Sequence, residues 1–249
     1  MRAPDSDVGD NNAVSDLGAA SRAATAAIVI VGALLAGCSS NVSGTAVRAA
    51  QTAPADVPPL SESSLDDVLL SVREINGIMD ATDIRITLDS DEMLDHSDKV
   101  SNPECIGVIY GAEERAYADS GWTAVRDQVA AEPDHDNEHW VEQTAVLFPT
   151  AAKAQAFFDK SKRVWKQCSN DAVSVYNDGD AFLWQVHDAT VVDEMLTQDS
   201  VQEDADGWEC QHAMSAVSNL VVEAWACSYD VGDEAVTIAT DMIAKAAEN

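Results

Sequence analysis

Apolar residues change their spacing several times along this chain, and each change marks an element. Between Leu65 and Met79 they recur at helical spacing, with Leu65, Val68, Leu69, Val72 and Ile75 or Ile78 on one stripe, which predicts an amphipathic helix capped by Ser64. Asn102-Pro103 opens a short helix that contains Cys105 and stops near Gly111, because asparagine caps well and proline suits the first helical position. Residues 121–130 and 138–148 read as two strands joined by an acidic loop around Pro133. Thr150 caps a long helix over 151–168, whose stripe is Ala154, Phe157, Phe158 and Val164 or Trp165. Four of its basic residues lie toward the C-terminal half, where the helix dipole favours them. Strand-like runs follow at 171–176, 180–192, 208–217 and 220–229, and a helix over 233–247 closes the chain. Strands in succession, short turns such as Asn177-Asp178-Gly179, and helices outside them predict an α+β domain, an antiparallel β-sheet flanked by α-helices.

Before the first of these elements the pattern is different. Residues 23–37 are an uncharged apolar run of 15, short for a membrane span and suited to the hydrophobic core of a signal peptide. The run ends in Leu35-Ala36-Gly37-Cys38, followed by Ser39 and Ser40, and this resembles the lipobox of bacterial lipoproteins. The resemblance implies diacylglyceryl transfer to the Cys38 thiol, cleavage after Gly37 and a protein held on the extracytoplasmic face of the cell membrane by lipid, with the bilayer as one partner. One departure is that residues 1–22 hold Arg2 and Arg22 against Asp5, Asp7, Asp10 and Asp16, where a signal peptide is basic; a start downstream of Met1 would remove the conflict. From Ser39 to about Ser64 the chain is rich in Ser, Thr, Ala and Pro, with Pro54, Pro58 and Pro59, and reads as a linker. The expected organisation is therefore a signal peptide over 1–37, an anchored linker over 38–64 and one domain over 65–249.

Charge narrows the partners. The 249 residues include 44 Asp and Glu against 14 Lys and Arg, a net of −30. Removing residues 1–37 takes two arginines and four aspartates with it, leaving −28. Such a surface repels nucleic acid and anionic lipid headgroups alike, and it tilts expectation toward cationic or neutral ligands.

With Cys38 assigned to the lipid, four cysteines remain, and an oxidising compartment permits disulfides. Ser218-Asn219 is a natural two-residue turn; pairing outward from 217 with 220 sets 210 opposite 227, at a non-hydrogen-bonded position where side chains approach most closely. The pairs are then Cys210–Cys227 and, by elimination, Cys105–Cys168. The four cysteines contain no Cys-x-x-Cys spacing, which argues against zinc.

Other chemistry is sparse. No G-x-S-x-G elbow is present for a hydrolase, although scattered Ser, His and Asp residues leave an envelope hydrolase, or a structural envelope lipoprotein without a ligand, as alternatives. Asp134, His135, Asp136 and His139 could chelate a divalent ion, but an acidic run of this kind reads first as a solvated loop, and neither a metal nor a cofactor is expected. Residues 88–98 fail as a calcium loop, lacking the turn glycine and the twelfth-position acid. The aromatic residues offer a better lead. Trp140, Trp184, Trp208 and Trp225 lie on predicted strands, with His212 on the hairpin face that carries Trp208, Cys210 and Trp225, and with Gln143, Gln185 and Gln211 nearby. A binding cleft needs an apolar wall and a few placed polar groups, and these residues could form one; core packing is the competing reading.

Glu104 to Val108, Tyr117, Ser120-Gly121-Trp122, Gln143, Phe148-Pro149-Thr150-Ala151, Trp165 to Cys168, Cys210 and Cys227 together resemble the PknH-like extracellular sensor domain family, found as the outer domain of a mycobacterial transmembrane Ser/Thr kinase and in related lipoproteins. The resemblance spans nearly all of 65–249. It implies an antiparallel sheet flanked by helices, two disulfides, and a cleft for an unidentified small ligand or envelope partner. Kinase signatures are absent, so what it implies for this chain is a non-enzymatic sensing or binding role.

Overall fold

A computed structural model describes residues 57–133 and 138–249. Residues 1–56, including the apolar run and Cys38, lie outside the described residues, as do Asp134, His135 and Asp136 of the acidic loop. Among the described residues no helix is long and apolar enough to cross a membrane.

Nine strands form one antiparallel sheet: β1 (Arg85–Ser90), β2 (Ala124–Ala131), β3 (Trp140–Leu147), β4 (Ala172–Asn177), β5 (Asp180–Val186), β6 (Thr190–Val192), β7 (Met195–Gln202), β8 (Glu209–Val217) and β9 (Leu220–Ser228). Their order across the sheet is β1-β2-β3-β9-β8-β7-β5-β4, with β6 on the edge of β7. The central strand β9 is buried along its whole length, because both faces of the sheet are covered. One face packs on α1 (Leu65–Val68), α2 (Val72–Ile78) and the closing helix α5 (Glu234–Ala247) through Leu65, Ile75, Ala145, Val222, Ile238 and Met242. The other packs on a 3₁₀ helix at Pro103–Val108, on α3 (Glu114–Tyr117) and on α4 (Ala151–Cys168) through Ile106, Phe148, Phe157, Trp165 and Val173. The predicted α+β architecture is the observed one.

Local chemistry accounts for the boundaries. Thr150 caps α4 by accepting from Lys153 N, and Asn102 accepts from Glu104 N ahead of Pro103. The helix predicted over 65–79 is two helices. The backbone turns extended at Leu69, and the side chain of Gln143 accepts from Leu70 N (2.7 Å) and donates to Leu70 O (2.9 Å), which satisfies the interrupted backbone. Ser71 then restarts the helix with a full capping box to Glu74, whereas Ser64 makes no side-chain cap. The packed domain also starts before Leu65: Leu60 is buried, and its N–H and carbonyl are held by the side-chain amide of Asn219 at 2.8 and 3.0 Å. β1 and β7 are strands that the apolar pattern did not announce.

Both disulfides are those derived from the hairpin. Val217 pairs with Leu220 and Cys210 with Cys227 across β8 and β9, and the Cys210 and Cys227 Cα atoms are 4.0 Å apart, as a non-hydrogen-bonded pair requires. Cys105–Cys168 ties the 3₁₀ helix to the end of α4.

Candidate functional site

Strand register builds the floor of a cleft. Trp140 on β3 pairs with Cys227 on β9, Cys227 with Cys210 on β8, Cys210 with Ser200 on β7, and Ser200 with Val186 on β5. These residues form one rung on one face of the sheet, because cross-strand partners share a face. Around the rung stand Ile109, Tyr110, Val175, Trp184, Trp208 and Trp225, enclosing a cavity of about 290 Å³. Trp225 is 3% exposed, while Trp140, Trp184 and Trp208 are half-buried at the rim. Trp208 is held edge-on by Tyr229, ring centroids 5.1 Å apart. No charged side chain lines the cavity, and two polar side-chain atoms in its wall, Ser200 Oγ and Trp225 Nε1, are buried without a hydrogen-bond partner.

The Tyr110 wall is braced from outside. His96 stacks on Tyr110 with centroids 4.7 Å apart, and its Nδ1 lies 2.6 Å from Oε1 of the fully buried Glu113. Glu113 also accepts from His96 N at 3.0 Å. The hydrogen bond to Glu113 raises the His96 pKa against a smaller opposing effect of burial, and burial pushes the Tyr110 phenol up to about 12.

Behind the cleft runs a buried polar network that no acidic-loop argument anticipates. The indole of Trp225 stacks on His212 (4.1 Å), His212 in turn contacts Trp165 (4.0 Å), and His212 Nε2 lies 3.1 Å from Glu223 Oε2. The Tyr117 hydroxyl donates to the other oxygen of Glu223. Burial lowers the His212 pKa and so favours the neutral ring; Nε2 faces Glu223, and Nδ1 has no hydrogen-bond partner. Burial, then the Glu223 charge, pushes the Tyr117 phenol well above its ordinary value. Glu142 is the cross-strand neighbour of Trp225, and Asp127 hydrogen-bonds Thr144 at 2.5 Å. Burial pushes Asp127 up to about 6, and burial reinforced by Asp127 raises Glu142 well above the carboxylate range. Two buried carboxyl groups side by side do not readily ionise together, and burial acts most strongly on Glu142; Asp127 Oδ2 has no hydrogen-bond partner. Glu142 also accepts from Gly111 N (3.2 Å), and a Cβ at Gly111 would lie 2.7 Å from its Oε1. Any side chain at Gly111 would force the buried Glu142 carboxyl to shift.

Of the residues predicted for a cleft, Trp184, Trp208 and Trp225 line it, and His212 stands behind Trp225. The three glutamines do not belong to it. Gln143 and Gln211 sit one residue out of phase with the wall and face α1 and α5, Gln143 bonding Leu70 and Gln211 accepting from Val236 N (3.2 Å) in the first turn of α5. Gln185, adjacent to Trp184, turns to the opposite side and donates to Glu203 (2.7 Å). A one-residue step reverses the face in any strand. His139 pairs with Glu132 (2.6 Å), and no cluster that could hold a metal occurs among the described residues.

Comparison with known proteins completes the picture. The family model described as PknH-like extracellular domain matches residues 60–245. The serine/threonine-protein kinases PknH of Mycobacterium bovis and Mycobacterium tuberculosis are 36% identical over 187 residues, 75% of this chain and 30–31% of theirs, so the chain spans about a third of the length of these relatives. The crystal structure of the extracellular domain of PknH from Mycobacterium tuberculosis superposes with a TM-score of 0.73 at 34% identity, covering 78% of this chain and 100% of that one.

Proposed function

The chain belongs to the PknH-like extracellular domain family, and from that premise we propose that it is a non-enzymatic sensing or binding module of the cell envelope, anchored by lipid at Cys38, whose small ligand enters the tryptophan-walled cleft. The carrying observation is the cleft itself: a cavity near 290 Å³ whose floor is a disulfide-pinned rung of five strands and whose rim leaves three indoles half-exposed. Exposed indoles around a concave surface are costly in water and are retained where something covers them. The buried titratable residues are engaged with one another or with Tyr117 and Thr144 and lie behind the wall, which supports binding over reaction.

The test uses the neutral fluorophore N-phenyl-1-naphthylamine with the purified domain. Its emission is expected to rise on addition of protein and to fall to the buffer value with Trp184→Ala and Trp208→Ala variants that melt like the parent. A folded parent that leaves the emission unchanged overturns the ligand-binding reading.

A further inference from the structure

The chemistry of the cleft wall selects among ligand classes. Tyr110, Trp140, Trp184, Trp208 and Trp225 supply five aromatic side chains, and each ring presents an electron-rich face to whatever lies over it. No carboxylate, amide or basic side chain lines the cavity; its polar side-chain atoms are hydroxyls and indole N–H groups. A sugar would lose most of its hydrogen bonds to water there, and a primary ammonium or guanidinium would strand several N–H donors. An anion meets both the electron-rich rings and the field of a chain carrying a net charge of −30. A quaternary ammonium has no N–H to satisfy and spreads its charge over methyl groups that pack on rings.

The network behind the wall adds to this. Glu223 accepts from the Tyr117 hydroxyl, and its other oxygen lies 3.1 Å from His212 Nε2. The His212 and Trp225 rings, stacked at 4.1 Å, link that buried carboxylate to the cleft wall. Negative charge behind an aromatic face strengthens its hold on a cation in a poorly solvated site.

We propose that the cleft binds small quaternary-ammonium compounds, the chemical class of choline and betaines, through its tryptophan cage with Glu223 as the buried counter-charge. This rests on the cleft being a ligand site, and the experiment separates the two. Choline and its uncharged isostere 3,3-dimethylbutan-1-ol are titrated into the purified domain by calorimetry, with N-phenyl-1-naphthylamine displacement alongside. Choline is expected to bind at least roughly tenfold tighter than the isostere, a cation–π difference of ordinary size. It is also expected to displace the fluorophore and to weaken severalfold with Trp184→Phe and further with Trp184→Ala. Glu223→Gln is expected to weaken choline and leave the fluorophore bound; because that variant disturbs a buried network, the comparison of the two ligands on the unaltered domain decides. Equal binding of choline and isostere, or fluorophore binding with no choline binding, overturns the cation assignment while the ligand site stands. Binding of neither choline nor fluorophore removes both.

Discussion

The imidazole of His212 lies 4.1 Å from the indole of Trp225 at an interplanar angle of 18°, so the back wall of the cleft and the buried Glu223 network are one packed unit. Its neighbours at the rim are half-buried, and Trp208 is met only edge-on, by Tyr229. This difference sets the first expectation. Trp225→Ala removes a buried ring and exposes His212 and Glu223, and is expected to cost about 3–5 kcal/mol in chemical denaturation. Trp184→Ala and Trp208→Ala are expected to cost clearly less and still to abolish fluorophore binding. If all three variants lost stability equally, the rim indoles would be core and not site.

Asp127 makes a pH prediction with a definite sign. Burial raises its folded-state pKa to about 6, above the unfolded value near 3.8, so the folded chain holds this proton more tightly than the unfolded chain does. The stability from that proton is full below about pH 4 and disappears as the pH rises to 6, a change of roughly 3 kcal/mol. Thr144, Glu142, Glu223 and Glu113 are the groups whose hydrogen bonds and charges act on it. Asp127→Asn is expected to remove this slope, so the difference between parent and variant in urea melts narrows from pH 7 toward pH 4. A difference independent of pH would mean that Asp127 is not the titrating group.

How far the molecule could be read from its sequence depends on which physical signal each residue carried. The β8–β9 register was legible because Ser218-Asn219 marks the turn and every pair outward follows from it, which places Cys210 on Cys227 and His212 beside Trp225. The register of β3 against β9 has no such marker, so nothing in the sequence tells that Glu142, and not Gln143, shares the face of Trp225. Glu223 carried an unused signal: it is the one charged residue in the apolar run 220–227, and a lone acid in a strand buried on both faces has to be partnered. Ser200 and Tyr110 were invisible, because β7 reads as a polar segment and Tyr110 follows a 3₁₀ helix that packs on α4, far along the chain.

His96 and Glu113 couple pH to the Tyr110 wall in the same sense as Asp127, but in a higher pH interval. The Glu113 hydrogen bond, aided by Asp95 and Asp98, raises the His96 pKa above its ordinary 6.5, so this pair stabilises the loop fully below that value and is lost as the pH rises through the raised one. An NMR titration is expected to place His96 above 6.5, and Glu113→Gln to bring it down. Amide exchange at residues 110–114, corrected for its intrinsic pH dependence, is expected to quicken across the same interval. A His96 that titrates at or below 6.5 in the parent removes this brace.

The two disulfides are expected to separate by function. Loop closure over 17 residues at Cys210–Cys227 and over 63 at Cys105–Cys168 corresponds to about 3 and about 4 kcal/mol on the chain-entropy model. Cys210→Ala with Cys227→Ala removes the floor of the cleft, and fluorophore binding is expected to fail even where the variant remains folded at low temperature. Cys105→Ala with Cys168→Ala removes a tie that lies outside the cavity lining, and is expected to lower the melting temperature with binding retained in the folded fraction. Equal loss of binding in both would mean that the floor has no special part in the site.

The anchor is the remaining expectation, and it concerns residues outside those the structure describes. Leu35-Ala36-Gly37-Cys38 after an apolar run of 15 calls for lipid on the Cys38 sulfur and removal of everything before it. Diacylglyceryl supplies two acyl chains, enough for stable attachment where one would exchange. Leu60, the first buried residue of the domain, is 22 positions beyond Cys38, so the extended chain between them could reach at most about 75 Å. The start of the packed domain at Leu60 would therefore lie within that distance of the membrane surface. Mass spectrometry of the detergent-extracted membrane fraction is expected to find an N-terminal peptide beginning at Cys38 with the added mass of its lipid, and Cys38→Ala is expected to leave the chain uncleaved and without acyl mass. A membrane-fraction protein whose N-terminal peptide began at Met1 would overturn the anchor, while leaving the cleft and its chemistry as they stand.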